Sequence, residues 1–159
     1  AHMVTNAAAA IAVAGVVGVD LQAVLAALST ATVSGMRMEV LIAPGGATIV
    51  NDAYNANPTS MIAALDALAA MDADRRIAVL GRMAEIDDPE AAHREVAAHA
   101  LSLGLELVAV GAPDYGTEPF DDPAAAIGRL GPHDAVLVKA SRSAGLERVV
   151  TALLEAHAD

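Results

Sequence analysis

The sequence predicts an α/β fold built on a doubly wound, mostly parallel sheet. Short and nearly continuous apolar segments alternate with helical patterns between residues 77 and 156. Such strands are buried on both faces, as happens when helices cover a parallel sheet. The composition agrees, because hydrophobic residues make up 55% of the chain and aromatic residues only 2%. A core with so few rings requires small aliphatic side chains in close-packed helices and strands.

The chain begins with the pattern of a helical hairpin. Thr5 or Asn6 is predicted to cap a first helix that ends near Val17. Asp20 is predicted to cap a second helix that ends near Leu28.

A segment rich in Ser and Thr, residues 29–35, follows the hairpin and predicts a domain boundary. The chain is therefore divided into residues 4–34 and residues 35–159. Residues 1–3 are predicted to be a vector-derived remnant, so that the sequence would be part of a longer protein.

The second part begins with a predicted β-hairpin, whose turn is Pro44-Gly45-Gly46, and continues with alternating helices and strands. Asn57 before Pro58, and Asp87 or Asp88 before Pro89, provide N-caps and first-turn prolines. The predicted strands are 38–42, 47–51, 77–80, 105–110 and 135–138, and the predicted helices are 58–71, 89–103, 123–130 and 146–156.

The net charge of −11 and the pI near 4.6 argue against nucleic acid or an anionic membrane surface as a partner. The longest apolar run, Ala7–Val19, is too short to span a membrane, so membrane insertion is not expected. The chain has no Cys, which agrees with a reducing compartment. We expect a cytoplasmic location.

Polar residues follow the predicted strands, and in a doubly wound sheet these positions share one edge, where ligands bind. In the segment Asn51–Asn57, capping alone could explain Asn55 and Asn57, so their role stays open. Asp52 and Tyr54 are not needed as caps. Asp52 could accept hydrogen bonds from a ribose and Tyr54 could pack on a base or sugar.

Cations also flank this predicted edge. Lys139, the sole lysine, ends a strand and precedes Ser141 and Arg142. It is either an ordinary surface cation or, as we favour, part of a site for a carboxylate or phosphate. Arg37 is either a solvated edge residue or a cation that reaches a ligand on a neighbouring domain.

The acidic residues near Pro89 are interpreted as helix-capping charges, and His93 and His99 do not share a helix face, so no metal site is expected. The sequence contains no P-loop and no G-x-G-x-x-G fingerprint.

The segment from Asp52 to Met61 resembles the D-x-Y-N-A-N-P-x-S-M signature of the Mur ligases, in the branch that adds D-alanyl-D-alanine. Further similar segments, with the family pattern in parentheses, are 6–10 (N-A-x-A-A), 37–39 (R-x-E), 78–81 (V-L-G), 93–96 (H-x-x-V/I) and 138–142 (V-K-[GA]-S-R). Two positions depart from the family pattern: Met36 stands where Gly is usual, and Arg82 where Asp or Glu is usual.

The resemblance implies a Rossmann-like third domain, preceded by the last helices of a central ATPase domain. In the complete enzyme, ATP and Mg²⁺ would serve to join D-alanyl-D-alanine to UDP-N-acetylmuramoyl-tripeptide through an acyl phosphate, in peptidoglycan precursor synthesis. The partners would include the missing N-terminal and central domains. The catalytic groups would lie there too, so this chain alone is expected to be inactive and to contain no catalytic residue.

The resemblance also implies roles for individual residues. The ATP contacts would be Asn6, Arg37, Asp52, Tyr54 and Asn55, and the peptide-substrate contacts would be Asn57, Lys139, Ser141 and Arg142. The alternatives are another Mur-type ligase, a folylpolyglutamate synthase, or a non-catalytic binding domain of the same fold.

Overall fold

The computed structural model describes residues 2–31 and 35–156, with side chains from residue 6 onward. The remaining positions, which include parts of the predicted remnant, junction and final domain, lie outside the described residues. The chain divides into two compact units, Ala1–Ser34 and Gly35–Asp159.

The first unit contains two helices, α1 (His2–Val16) and α2 (Leu21–Thr30). The predicted cap of α2 is confirmed, since the Asp20 carboxylate accepts two backbone N–H groups of the first turn at 3.0 and 3.1 Å. The predicted start of α1 at Thr5 or Asn6 is wrong, because the helix already begins at His2. Neither Gly nor Pro precedes Thr5, so nothing in the local sequence stops the helix from extending toward the amino terminus.

The second unit contains the strands β1 (Glu39–Ile42), β2 (Thr48–Asp52), β3 (Arg75–Gly81), β4 (Glu106–Val110) and β5 (Asp134–Lys139). They form one sheet with the order β1-β2-β5-β3-β4. Strands β2, β5, β3 and β4 are parallel, and β1 is antiparallel to β2, which confirms the predicted sheet and its edge hairpin.

Helices cover both faces of this sheet. The helices are α3 (Pro58–Ala69), α4 (Pro89–Ser102), α5 (Pro123–Ile127) and α6 (Glu147–Glu155). Alternate residues of β3 enter opposite cores: Ala78 and Leu80 pack with α3 and α4, whereas Ile77 and Val79 pack with the residues of α5 and α6. This alternation follows from the two-residue period of a strand, and the doubly wound arrangement is confirmed.

The predicted caps of α3 and α4 are confirmed. Asn57 forms a capping box with Ser60, and Asp88 accepts the N–H of Ala91 at 3.1 Å. Helix α5, in contrast, ends at Ile127 instead of residue 130. Gly128 follows it with a φ of 69° and a ψ of −158°, a conformation open mainly to glycine that does not continue the helix.

Two single 3-10 turns, Pro113–Tyr115 and Arg142–Ala144, were not predicted. Across the described residues, no helix combines the length and the apolar character that crossing a membrane requires.

Candidate functional site

The carboxyl ends of the parallel strands bring the predicted polar residues to one edge of the sheet. Asp52, at the end of β2, is paired in register with Lys139 of β5. Lys139 is in turn paired with Leu80 of β3, one residue before Gly81. The loops that follow these three strands therefore lie side by side, as the sequence predicts, and we call this edge the rim.

A buried ion pair joins β2 to β5 at the rim. The Lys139 Nζ lies 2.5 Å from Asp52 Oδ2 and donates to the Asn55 carbonyl oxygen at 2.9 Å. The side chains of Lys139 and Asp52 are only 3% and 13% exposed. The remaining carboxylate oxygen of Asp52 accepts the Met38 N–H at 3.0 Å. Through these contacts, Asp52 and Lys139 hold the segment after β2 against the segment before β1.

This pairing changes the interpretation of Lys139. The sequence predicts an anion partner for it, and the chain itself supplies one in the carboxylate of Asp52. Because a buried ammonium group needs a partner and hydrogen-bond acceptors to offset its desolvation, the two contacts account for the placement of Lys139 in the core.

The segment before β1 has an unusual backbone. Met36 and Met38 have φ angles of 64° and 49°, in the left-handed region that disfavours residues with a Cβ. Its backbone groups are held on several sides: the Met36 carbonyl accepts the Tyr54 N–H at 3.1 Å, and the Met36 N–H donates to Glu39 Oε2 at 3.2 Å. Backbone strain persists where surrounding contacts over-determine the conformation, as they do here.

Between these two residues, Arg37 lies over the ring of Tyr54. Its guanidinium carbon is 3.9 Å from the ring centroid, and that of Arg142 is 5.6 Å from the same centroid. Both arginines are exposed. The rim therefore presents an aromatic ring and two guanidinium groups together, which suits a ligand with anionic groups and a planar part.

Asn55 and Asn57 engage mainly in local contacts. The Asn57 side-chain oxygen accepts the Ser60 N–H at 2.9 Å as the cap of α3. The Asn55 side-chain oxygen accepts the N–H of Ala56 at 2.8 Å. Capping accounts for the Asn57 oxygen, and both residues remain exposed at the rim.

Ser141 joins the loop after β5 to the loop after β3. Its backbone N–H donates to the Arg82 carbonyl oxygen at 3.0 Å, and its hydroxyl oxygen accepts the Ala84 N–H at 2.9 Å. Ser141 is 4% exposed. Its described contacts are with the chain's own backbone, and they hold the exposed Arg82 next to the loop that carries Arg142.

His93 of α4 and Tyr115 of the 3-10 turn also hold the loop after β3. The His93 Nε2 accepts the Met83 N–H at 3.0 Å, so this nitrogen carries no proton, and Nδ1 donates to the Pro89 carbonyl oxygen at 2.5 Å. The Tyr115 hydroxyl donates to the Gly81 carbonyl oxygen at 2.9 Å. Burial raises the pKa of Tyr115 above its usual range, so it stays a donor. The two rings also meet edge to face, with centroids 4.7 Å apart.

The other sequence-based predictions concern Asn6 and metal binding. Asn6 is exposed on α1, in the first unit. His99 pairs with Asp66 at 2.7 Å. The described residues contain no group of three or more His, Asp or Glu side chains that could hold a metal ion. Within the part of the chain that the structure describes, there is thus no ready-made group of ligands for the magnesium ion that the resemblance implies.

Sequence reasoning missed the pairing of Lys139 with Asp52 and the hydrogen bonds that Ser141, His93 and Tyr115 make around Arg82. It contained one signal of the strained backbone, because Met36 stands where the family usually has Gly. A left-handed φ explains why Gly is usual there.

Comparison with known proteins places the chain in a family. Residues 36–158 match the profile of the family described as Mur ligase, glutamate ligase domain. The chain is 40% identical to UDP-N-acetylmuramoyl-tripeptide–D-alanyl-D-alanine ligase of Mycobacterium tuberculosis, over 96% of the chain and 38% of that relative. It thus spans little more than a third of this relative's length.

Solved structures of Mur ligases also resemble this chain. The structure of MurF from Acinetobacter baumannii superposes with a TM-score of 0.81 and 28% identity, covering 97% of this chain and 37% of that one. MurF from Thermotoga maritima in complex with ADP gives a TM-score of 0.72 and 26% identity, covering 92% of this chain and 36% of that one. These matches confirm the resemblance inferred from the motifs, and the chain belongs to the Mur ligase family.

Proposed function

We propose that this chain is the carboxyl-terminal part of an ATP-dependent ligase that adds D-alanyl-D-alanine to UDP-N-acetylmuramoyl-tripeptide in the cytoplasm. In the reaction, the tripeptide carboxylate takes up a phosphoryl group from ATP. The dipeptide amine then attacks the carbonyl carbon, phosphate leaves and the amine loses a proton. The names of the relatives and the Asp52–Met61 motif support this assignment.

One observation carries the proposed role of this domain: Arg37 lies 3.9 Å from the Tyr54 ring centroid at the carboxyl ends of the strands. The guanidinium of Arg37 would bind nucleotide phosphates, and the Tyr54 ring would pack on the base or ribose. The T. maritima MurF structure is a complex with ADP, which supports a nucleotide as the ligand.

In this proposal Asp52 and Lys139 position the nucleotide side of the rim. Their ion pair holds the Tyr54 segment, and Asp52 also holds the Met38 N–H next to Arg37. The proposed roles of Asn6 and Asn55 at the nucleotide, and of Asn57, Ser141 and Arg142 at the peptide substrates, rest on the resemblance.

The chain would act as a domain that closes over the rest of the enzyme. Closure brings the Arg37 cation to the nucleotide and excludes water, which would otherwise hydrolyse an acyl phosphate. By the family resemblance, the groups for phosphoryl transfer and the magnesium ligands would come from the other domains of the parent protein. The described residues include no group of three or more His, Asp or Glu side chains that could hold a metal ion.

The test is phosphate release by the full-length parent and by this chain alone, with the tripeptide substrate, ATP and D-alanyl-D-alanine present together and then omitted in turn. The proposal expects release by the parent only when all three are present, and none by the isolated chain. Release from the isolated chain, or release by the parent that ignores the dipeptide, would refute it.

A further inference from the structure

We propose that Glu39 is a positioning residue for Arg37. Its carboxylate fixes the backbone before β1, and this backbone keeps the Arg37 guanidinium over the Tyr54 ring. The inference rests on the proposed function, because it assigns to Glu39 the alignment of the cation that would bind nucleotide phosphates. Loss of the Glu39 oxygens should therefore weaken the binding of ATP and leave the binding of the peptide substrates unchanged.

A buried amide anchors the Glu39 carboxylate. Glu39 begins β1 and is paired in register with Asn51 of β2. The Asn51 Nδ2 donates to Glu39 Oε2 at 3.1 Å, and the Asn51 Oδ1 accepts the Ala53 N–H at 3.4 Å. Asn51 is only 5% exposed, so its amide group needs partners within the fold. The sheet thus holds the Glu39 carboxylate in one place, although the residue itself is exposed.

The same Glu39 oxygen holds the backbone next to Arg37. The Met36 N–H donates to Glu39 Oε2 at 3.2 Å, and the Met38 N–H donates to Asp52 Oδ1 at 3.0 Å. Both methionines have a left-handed φ, so each disfavoured residue beside Arg37 has its N–H bound by a carboxylate. Such residues keep their conformation only while surrounding contacts impose it. Removing the acceptor at Met36 should let this residue leave the left-handed region and redirect Arg37.

The carboxylates that hold this backbone leave the charge of Arg37 without a partner. Within the residues that the structure describes, the Arg37 guanidinium forms no ion pair with a carboxylate. Asp52 is paired with Lys139, and Glu39 Oε2 already accepts two N–H donors. The guanidinium over the Tyr54 ring therefore keeps its charge for an external anion.

The primary test is nuclear magnetic resonance of this chain with Glu39→Ala, Glu39→Gln and the control Glu95→Gln. Glu95 is an exposed carboxylate on α4. The ring current of Tyr54 should move the Nε–H and Cδ–H resonances of Arg37 upfield, and Tyr54→Leu gives their positions without the ring. Glu39→Ala should move these resonances most of the way to those positions. Glu39→Gln keeps an oxygen acceptor and should stay close to the unsubstituted chain, as should Glu95→Gln.

Steady-state kinetics of the full-length parent tests the consequence for the nucleotide. Glu39→Ala should raise the KM of ATP about tenfold, as expected for the misalignment of one charge-assisted contact, with the KM values of the two peptide substrates unchanged. A merely structural role would lower the amount of folded enzyme, which reduces the apparent kcat without raising one KM selectively. Glu39→Gln should recover most of the ATP affinity, and Glu95→Gln should match the unsubstituted parent.

Unchanged Arg37 resonances in Glu39→Ala would overturn the inference, whatever the activity of the parent. An unchanged KM of ATP, or an equal rise in all three KM values, would also overturn it in a parent that is active with D-alanyl-D-alanine. A parent without dipeptide-dependent activity would refute the proposed function, and the resonances would still decide whether Glu39 positions Arg37. If Glu39→Ala does not fold, Glu39→Asp replaces it in both measurements, because its shorter side chain withdraws the oxygen from the Met36 N–H.

Discussion

The ion pair between Lys139 and Asp52 makes the sharpest stability prediction. Replacing Lys139 with Met keeps most of the buried aliphatic chain but leaves the Asp52 carboxylate without its cation. The substitution also removes the donor to the Asn55 carbonyl. The structure therefore predicts a loss of folding stability that comes from uncompensated charge and lost hydrogen bonds, with little contribution from lost volume.

The magnitude follows from burial. Removing one partner of a buried ion pair typically costs about 3–5 kcal/mol. Asp52 retains its bond from the Met38 N–H and is 13% exposed, so water can solvate part of its charge. We expect Lys139→Met to lower the free energy of unfolding by about 3 kcal/mol, at the lower end of that range.

Urea denaturation followed by far-ultraviolet circular dichroism measures this loss. Asp52→Asn and the double variant complete a thermodynamic cycle, in which the double variant should cost much less than the sum of the single ones, with a coupling of about 2 kcal/mol. Arg94→Met is the control, because its partner Glu90 lies on the same exposed helix face and the substitution should have little effect.

A loss below about 1 kcal/mol for Lys139→Met, with an unchanged denaturant slope and no coupling to Asp52, would refute this reasoning. It would mean that Lys139 is solvated and free to bind an external anion, as the sequence alone suggested.

Three further predictions concern the backbone of the rim and its supports. Met36→Gly should stabilise the chain by about 0.5–1 kcal/mol in urea denaturation, because relief of a left-handed residue outweighs the entropy cost of Gly, whereas Met36→Ala should give no gain. Gly81→Ala should cost about 1–3 kcal/mol, since the added Cβ would lie 2.8 Å from Ala140 Cβ and Leu146 Cδ1. Gly131→Ala, whose nearest neighbour would be 3.8 Å away, should be nearly neutral by the same measurement. Because of its raised pKa, Tyr115 keeps its proton to higher pH in the folded state than in the unfolded state. The folding stability linked to Tyr115 is therefore fully present below its usual pKa of 10.0 and decreases as the pH rises above that value. The predicted slope steepens from about −0.7 kcal/mol per pH unit at pH 10 to about −1.2 kcal/mol per pH unit at pH 11, and Tyr115→Phe should lack this contribution.

The sequence predicts those features of the fold that depend on local chemistry. Residue type and the following helical pattern predict Asp20, Asn57 and either Asp87 or Asp88 as caps, and Asp20, Asn57 and Asp88 accept the expected backbone N–H groups. The alternation of apolar strands and helices predicts the parallel sheet, and hence the rim, because parallel strands end at the same edge.

Features that depend on distant residues were not predictable in this way. Asp52 and Lys139 are 87 positions apart, and no local pattern indicates that one neutralises the other. The roles of His93 and Tyr115 likewise depend on contacts with Met83 and Gly81, across loops from separate elements. Sequence patterns identify polar side chains near a site, but they do not distinguish those that face a ligand from those that hold the loops.

The acceptor specificity of the full-length parent decides whether this chain belongs to a ligase that adds D-alanyl-D-alanine. Phosphate release should be measured with the tripeptide substrate, ATP and a panel of acceptors: D-alanyl-D-alanine, L-alanyl-L-alanine, D-alanine, D-glutamate and L-lysine. Release is expected with D-alanyl-D-alanine, and little release with the other acceptors. Release that prefers a single amino acid would place the parent with a different ligase, and no release with any acceptor would favour a non-catalytic domain of the same fold.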